Sequence, residues 1–140
     1  MSQVILVGHG SLAVEMKKSA EMIFGELDYF HTVEFFKEEG LDTIADKILS
    51  KLKALNEPAL IFADLYCGTP YNASCAVALK HPELEISIVS GMSLPLVLET
   101  ASMLSTQSVG EIAMMLPKLA GDIVKTFDQQ LINDDDEEDF

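Results

Sequence analysis

Arginine and tryptophan are missing altogether from these 140 residues, so all nine basic side chains are lysine. Set against 23 acids, they leave a formal charge of −14. So acidic a chain, with no guanidinium to fork onto phosphates or guanines, is a poor partner for nucleic acid or an anionic membrane surface. Cysteine is scarce: Cys67 and Cys75 follow no metal-ligand or disulfide-framework spacing and read as packing residues in a reducing compartment. No apolar run is long enough to span a bilayer, and the amino terminus enters a strand with no basic and apolar leader, which gives a cytoplasmic expectation. Catalytic signatures are also missing. The chain has no G-x-S-x-G elbow, no P-loop and no G-x-G-x-x-G fingerprint, and His9, His31 and His81 lack ligand spacing. Neither a metal nor a cofactor is expected.

What is present is a regular alternation of short apolar runs and amphipathic stretches. Val4 to Val7 read as a buried strand, followed by a helical stripe at Ala13, Met16, Ala20, Ile23 and Phe24 that Gly25 stops. Aromatic and β-branched residues between Tyr29 and Phe36 predict a second strand. Leu41, Ile44, Ala45, Ile48, Leu49 and Leu52 predict a second helix, and ALIFA, Ala59 to Ala63, a central strand. Thr69 as N-cap with Pro70 behind it predicts a helix to about Leu79. Ile86 to Ser90 form a fourth strand, Ser93 and Pro95 open a helix to about Leu104, and Ser108 with Glu111 has capping-box spacing for another that ends near Gly121. Ile123 to Phe127 read as a strand or as continued helix, with strand preferred. The whole predicts one domain, residues 1–132, of α/β class: a doubly wound, mostly parallel sheet with helices on both faces. Residues 133–140, with the six consecutive acids Asp134 to Asp139, read as a disordered acidic tail, and the body is acidic without them.

In an open parallel sheet, ligands collect where the strands' carboxyl ends meet the amino ends of the next helices. Three loops fall on that edge: Gly8 to Ser11, Asp64 to Asn72 and Gly91 to Ser93. They bring together the His9 imidazole, uncrowded between Gly8 and Gly10, the Asp64 carboxylate at a strand end, and the hydroxyls of Ser11 and Thr69. A carboxylate on one ring nitrogen of a histidine fixes its tautomer and makes the other nitrogen the better nucleophile. Helix amino termini and hydroxyls favour a dianion, so a phosphoryl group on His9 could be held without a fixed cation. Each feature also has a plain structural reading: a tight turn at Gly8 to Gly10 with a solvated His9, a cap at Asp64, an ordinary helix start at Thr69 and Pro70. A mutase-type phosphohistidine site would place arginine before the histidine, where this chain has Gly8.

Three stretches in order, VILVGHGSLA around His9, ADLYCGTPYNAS around Asp64, and VSGMSLPLVLET from Val89 to Thr100, carry a family resemblance. The chain resembles the IIA components of the mannose-type (mannose, fructose, sorbose) sugar phosphotransferase systems of bacteria over roughly Met1 to Gln130. The resemblance implies that His9 accepts a phosphoryl group from the phosphocarrier HPr and passes it to a histidine of the matching IIB protein or domain. It implies that Asp64 is the carboxylate beside that histidine. Thr69 falls where the family usually has serine near the phosphoryl oxygens, with Ser11 and the amides around Gly10 and Gly68 as further phosphoryl-binding groups. It also implies a homodimer that exchanges a terminal strand, antiparallel on the otherwise parallel sheet, and Ile123, Val124, Phe127, Leu131 and Ile132 supply an apolar segment for that role. Tyr66 and Cys67 stand where tryptophan and glycine are frequent in the family. A separate IIB partner is expected, because the chain stops soon after the IIA module. The rival expectations are a phosphotransfer subunit feeding dihydroxyacetone kinase and a non-catalytic regulatory module on the same fold.

Overall fold

The computed structural model describes residues 1–130. Four strands, β1 (Gln3–His9), β2 (Phe30–Phe35), β3 (Ala59–Ala63) and β4 (Ile86–Val89), form one sheet in the order β2-β1-β3-β4, and every pairing is parallel. Five helices join or follow them: α1 (Leu12–Phe24), α2 (Leu41–Leu55), α3 (Thr69–Lys80), α4 (Leu94–Met103) and α5 (Val109–Leu119), which runs into a short 3-10 turn at Ala120–Asp122. None is long and apolar enough to cross a membrane.

The continuous apolar runs of β1 and β3 follow from burial on both faces. Strand side chains alternate, so Val4, Leu6, Leu60 and Phe62 face one layer while Ile5, Val7, Ile61 and Ala63 face the other. On the first face the core is closed by Ala13 and Ala20 of α1, Leu96 and Val97 of α4, and Ile112 and Leu116 of α5. On the second, Ile44, Ile48 and Leu52 of α2 and Ala73 and Val77 of α3 close it. Of the amphipathic stripe of α2, Ile44, Ile48 and Leu52 are buried, Ala45 and Leu49 are half-buried and Leu41 is exposed, and Asn56 ends that helix in a left-handed conformation, φ 50°.

Connections leave β1 toward β2 and β3 toward β4 in opposite directions. The order reverses between β1 and β3, which opens a crevice at their carboxyl ends. His9 ends β1 there, and Asp64 is the first residue beyond β3.

Most expected elements form within a residue or two of their predicted bounds. The capping box of α5 is present in both directions, with the Ser108 hydroxyl accepting from the Glu111 N–H at 3.1 Å and Glu111 accepting from the Ser108 N–H at 2.9 Å. Three expectations are corrected. Gly68, not Thr69, is the N-cap of α3; its extended backbone (φ −75°, ψ 167°) makes Thr69 and Pro70 the first two helical residues. Cys67 is exposed rather than packed, and Cys75 is half-buried. Ile123 to Phe127 form no strand: Ile123 keeps helical dihedrals after the 3-10 turn, and the residues that follow take no strand assignment. Leu131, Ile132 and the acidic stretch at residues 133–140 lie outside the described residues.

Phe62 is fully buried at the centre of the first layer. Phe62→Ala should lower the free energy of unfolding by about 3–5 kcal/mol, through lost transfer energy and the cavity left behind. Urea denaturation of the two proteins measures this, and a loss under about 1 kcal/mol would mean that the layer collapses to fill the space.

Candidate active site

The backbone around His9 is shaped by two glycines with different work to do. Gly8 lies in β1 on the face that carries Asp64, and a Cβ there would sit 3.3 Å from both Cγ and Oδ2 of the carboxylate. Only a residue without a side chain lets the carboxylate lie this close over the strand. Gly10 turns the chain with φ +59°, a left-handed conformation, and its N–H donates to the Phe35 carbonyl at 2.7 Å. The loop is thus tied to the end of β2 before α1 begins.

Asp64 then fixes the imidazole. Its Oδ2 accepts two hydrogen bonds, from the His9 backbone N–H at 3.0 Å and from Nδ1 of the ring at 2.8 Å. One oxygen therefore holds both the base and the tip of the same residue. Because a carboxylate only accepts, the neutral ring carries its proton on Nδ1 and keeps a lone pair on Nε2. The Asp64 side chain is only 9% exposed and that of His9 47% exposed, so the anchor is sheltered and the ring is open to solvent. Phe35 meets the ring edge-on, centroids 5.5 Å apart at 76°. Gly68 closes the remaining side, where a Cβ would fall 3.2 Å from His9 Cε1 and 3.3 Å from the Leu65 carbonyl oxygen.

The expected phosphoryl-binding residues sit around this ring in unequal ways. Gly68 lies against it and puts the amino terminus of α3 beside it. Ser11 is exposed at the amino terminus of α1 and Thr69 is half-buried in the first turn of α3; neither hydroxyl caps its helix. Both helices have free first-turn amides on the His9 edge, where an anion is favoured. No lysine is ion-paired with Asp64 among the described residues; Lys47 is held instead by Glu39 at 2.6 Å.

Sequence reasoning had not found the apolar rim. Leu12, Phe36, Leu65 and Tyr66 are large side chains left exposed on the loops and helix start that surround the crevice. Tyr66 leans on Tyr71, centroids 5.1 Å apart, and the adjacent Cys67 thiol pushes its hydroxyl above the ordinary tyrosine range, so it stays neutral. Their signal was present, since apolar residues in loop positions rarely serve a core, but which of them share an edge depends on the strand order.

A parallel α/β sheet that holds a carboxylate-anchored, half-exposed imidazole at its switch point, beside two helix amino termini, has the parts that transfer of an anionic group through histidine would need. The family model described as "PTS system fructose IIA component" matches residues 3–116, and the chain belongs to that family, the IIA components of mannose-type sugar phosphotransferase systems. It is 36% identical over 139 residues, 99% of both chains, to the sorbose-specific EIIA component of Lacticaseibacillus casei. It is also 36% identical over 105 residues to the fructose-specific EIIA component of Bacillus subtilis, covering 74% of this chain and 70% of that one. Among solved structures, the mannose/sorbose-specific IIA subunit from Enterococcus faecalis superposes with a TM-score of 0.82 at 32% identity, covering 94% of this chain and 98% of the other.

The tautomer is directly observable. Nitrogen NMR of the wild-type protein should show neutral His9 protonated on Nδ1. In Asp64→Ala the acceptor at Nδ1 is lost, and the ring proton should shift toward Nε2 in part of the neutral population. The same tautomer in both proteins would mean that Asp64 does not set it.

Proposed function

We propose that His9 is the phosphoryl carrier of this IIA component, taking the group from HPr and passing it to a IIB protein or domain. The observation that supports this most directly is the doubled hydrogen bond from His9 to Asp64 Oδ2, which leaves the Nε2 lone pair uncommitted on a half-exposed ring. In the forward step the Nε2 lone pair attacks phosphorus in line. The N–P bond of the donor phosphohistidine breaks, and its electron pair returns to the donor imidazole. The positive charge that develops on the His9 ring is balanced by Asp64, already in place before the reaction, so little reorganisation is needed. The amides of the first turns of α1 and α3, with the hydroxyls of Ser11 and Thr69, receive the phosphoryl oxygens. Amides and hydroxyls without a bonded cation hold a dianion loosely, as suits a group that must be given away again.

The apolar rim of Leu12, Phe36, Leu65 and Tyr66 supports a protein as donor and acceptor. Exposed aromatic and aliphatic residues around a polar centre are the composition of a protein interface, not of a pocket for a small sugar.

Incubation with enzyme I, HPr and phosphoenolpyruvate should place one phosphoryl group on His9, lost in acid and stable in base. His9→Ala should remove the label while circular dichroism stays unchanged, and Asp64→Asn or Asp64→Ala should slow transfer by roughly 10- to 100-fold. Full labelling of His9→Ala, mapped by mass spectrometry, would overturn the reading.

The protein is further proposed to act as a homodimer in which the segment after Gly121 adds an antiparallel strand to the partner's sheet. β4 is an outer strand, all four of its residues are half-exposed, and its free edge is a row of unpaired backbone groups. Beside it runs a groove of about 360 Å³ whose walls include Tyr71, Ile88, Leu116 and Pro117. Val124 is 82% exposed in the single chain, an unstable place for it unless a second copy covers it. Truncation after Gly121 should give monomer or aggregate, and removal of residues 134–140 should leave the dimer intact. Light scattering that finds the full chain monomeric at micromolar concentration refutes the exchange.

A further inference from the structure

Among the described residues, two side chains keep a buried polar atom with no hydrogen-bond partner: Asp64 Oδ1 and Ser93 Oγ. Buried polar atoms are almost always paired, so two orphans in one protein call for an explanation. Their places in the fold supply it. Along β3 the side chains alternate, and Leu60 and Phe62 face the layer of α1, α4 and α5, so Asp64, next in that series, faces it too. The contact with Gly8 confirms that side, because Gly8 follows Val4 and Leu6 on the same face of β1. Ser93 is the N-cap of α4, a helix of that layer. The two chain segments are joined directly, since the Met92 N–H donates to the Ala63 carbonyl at 3.0 Å, binding the residue before Ser93 to the residue before Asp64. Ser93 has the extended backbone of an N-cap (φ −141°, ψ 159°), yet its hydroxyl caps nothing. An N-cap serine ordinarily accepts from the first turn of its helix, so a hydroxyl withheld from that bond is available to donate elsewhere.

We propose that Ser93 is a positioning residue for phosphoryl transfer: its hydroxyl, unbonded in this structure, turns about the Cα–Cβ bond to donate to Asp64 Oδ1 and so holds the carboxylate that holds His9. Oδ2 is committed twice to His9, and a carboxylate pinned by one oxygen alone can rotate about its Cβ–Cγ bond. A donor on Oδ1 stops that rotation and keeps the ring aimed with Nε2 outward. Ser93 touches neither the ring nor the transferred group; it acts through Asp64. The inference rests on the reading of His9 as the phosphoryl carrier and adds to it the residue that sets the carboxylate.

The test compares Ser93→Ala, Ser93→Thr and Ser93→Gly in the full chain, the last because glycine is accepted at an N-cap and keeps the fold testable if alanine disturbs α4. Initial rates with phosphorylated HPr as donor should show kcat reduced roughly 10-fold in Ser93→Ala and Ser93→Gly, with KM for HPr unchanged and Ser93→Thr within about twofold of wild type. In an Asp64→Ala background, Ser93→Ala should cause no further loss, because the group it acts through is gone. A second readout needs no phosphoryl transfer: the His9 Nδ1 proton should exchange with solvent faster in Ser93→Ala than in wild type. Unchanged kcat together with unchanged proton exchange would overturn the proposal, as would an equal loss in the Asp64→Ala background, which would make Ser93 a structural residue. If the wild-type protein takes no phosphoryl group at all, the carrier reading fails by itself, and the proton exchange alone decides whether Ser93 holds Asp64.

Discussion

The contact on which the site depends is the shared oxygen of Asp64. A single carboxylate oxygen receives the His9 backbone N–H and the His9 ring N–H, so the position of the imidazole is tied to the position of the main chain that carries it. A loop histidine would otherwise sample several rotamers, and each would aim Nε2 differently. The clamp also decides which nitrogen of the neutral ring keeps its lone pair. Its geometry requires Gly8, because any larger residue in β1 would press on the carboxylate, and Gly68, because a side chain there would press on the ring. Two absent side chains therefore shape the site together with the two that are present.

The rest of the fold can be understood as what brings those residues to one place. Strands β1 and β3 are buried on both faces, and their polar side chains, Gln3 and His9, stand at the two ends of β1. Chemistry is displaced to their ends, and the reversal of strand order between them leaves that end uncovered. Helices α1 and α3 start from the two ends on opposite faces of the sheet, so their amino termini converge on the crevice from both sides. An anionic group is thereby stabilised by backbone dipoles, in a protein whose net charge of −14 would repel it at longer range. The stabilisation is local and the repulsion diffuse and screened by salt, which is compatible with a group that arrives and leaves on a partner protein.

Much was legible in the sequence because the physics behind it is local. Strand and helix periods in VILV, ALIFA and the α2 stripe follow from burial of alternate or every third to fourth residue, and the Ser108 and Glu111 capping box depends on four neighbouring residues. His9 and Asp64 were identifiable for the same reason: each ends a strand, and strand ends in a parallel sheet share an edge. The family motifs added the phosphoryl group itself, which no spacing of residues in this chain encodes.

Other features depend on the tertiary structure, because they arise between segments far apart in sequence. The strand order places β1 beside β3 and hence His9 within 2.8 Å of a residue 55 positions away. Thr69 looked like the cap of α3 on local preference, but Gly68 takes that position in the folded chain, where it also lies against the His9 ring. Cys67 has the composition of a core residue, yet the turn before α3 holds it at φ 64° and in solvent. Ile123 to Phe127 carry strand propensity, but a strand is defined by its ladder, a pairing between distant segments that local propensity does not set. Sequence by itself determined which residues must be buried, which must turn and which can react. Only the tertiary structure decided which of them meet, because long-range contact is set by strand order and layer, quantities that no local window of residues contains.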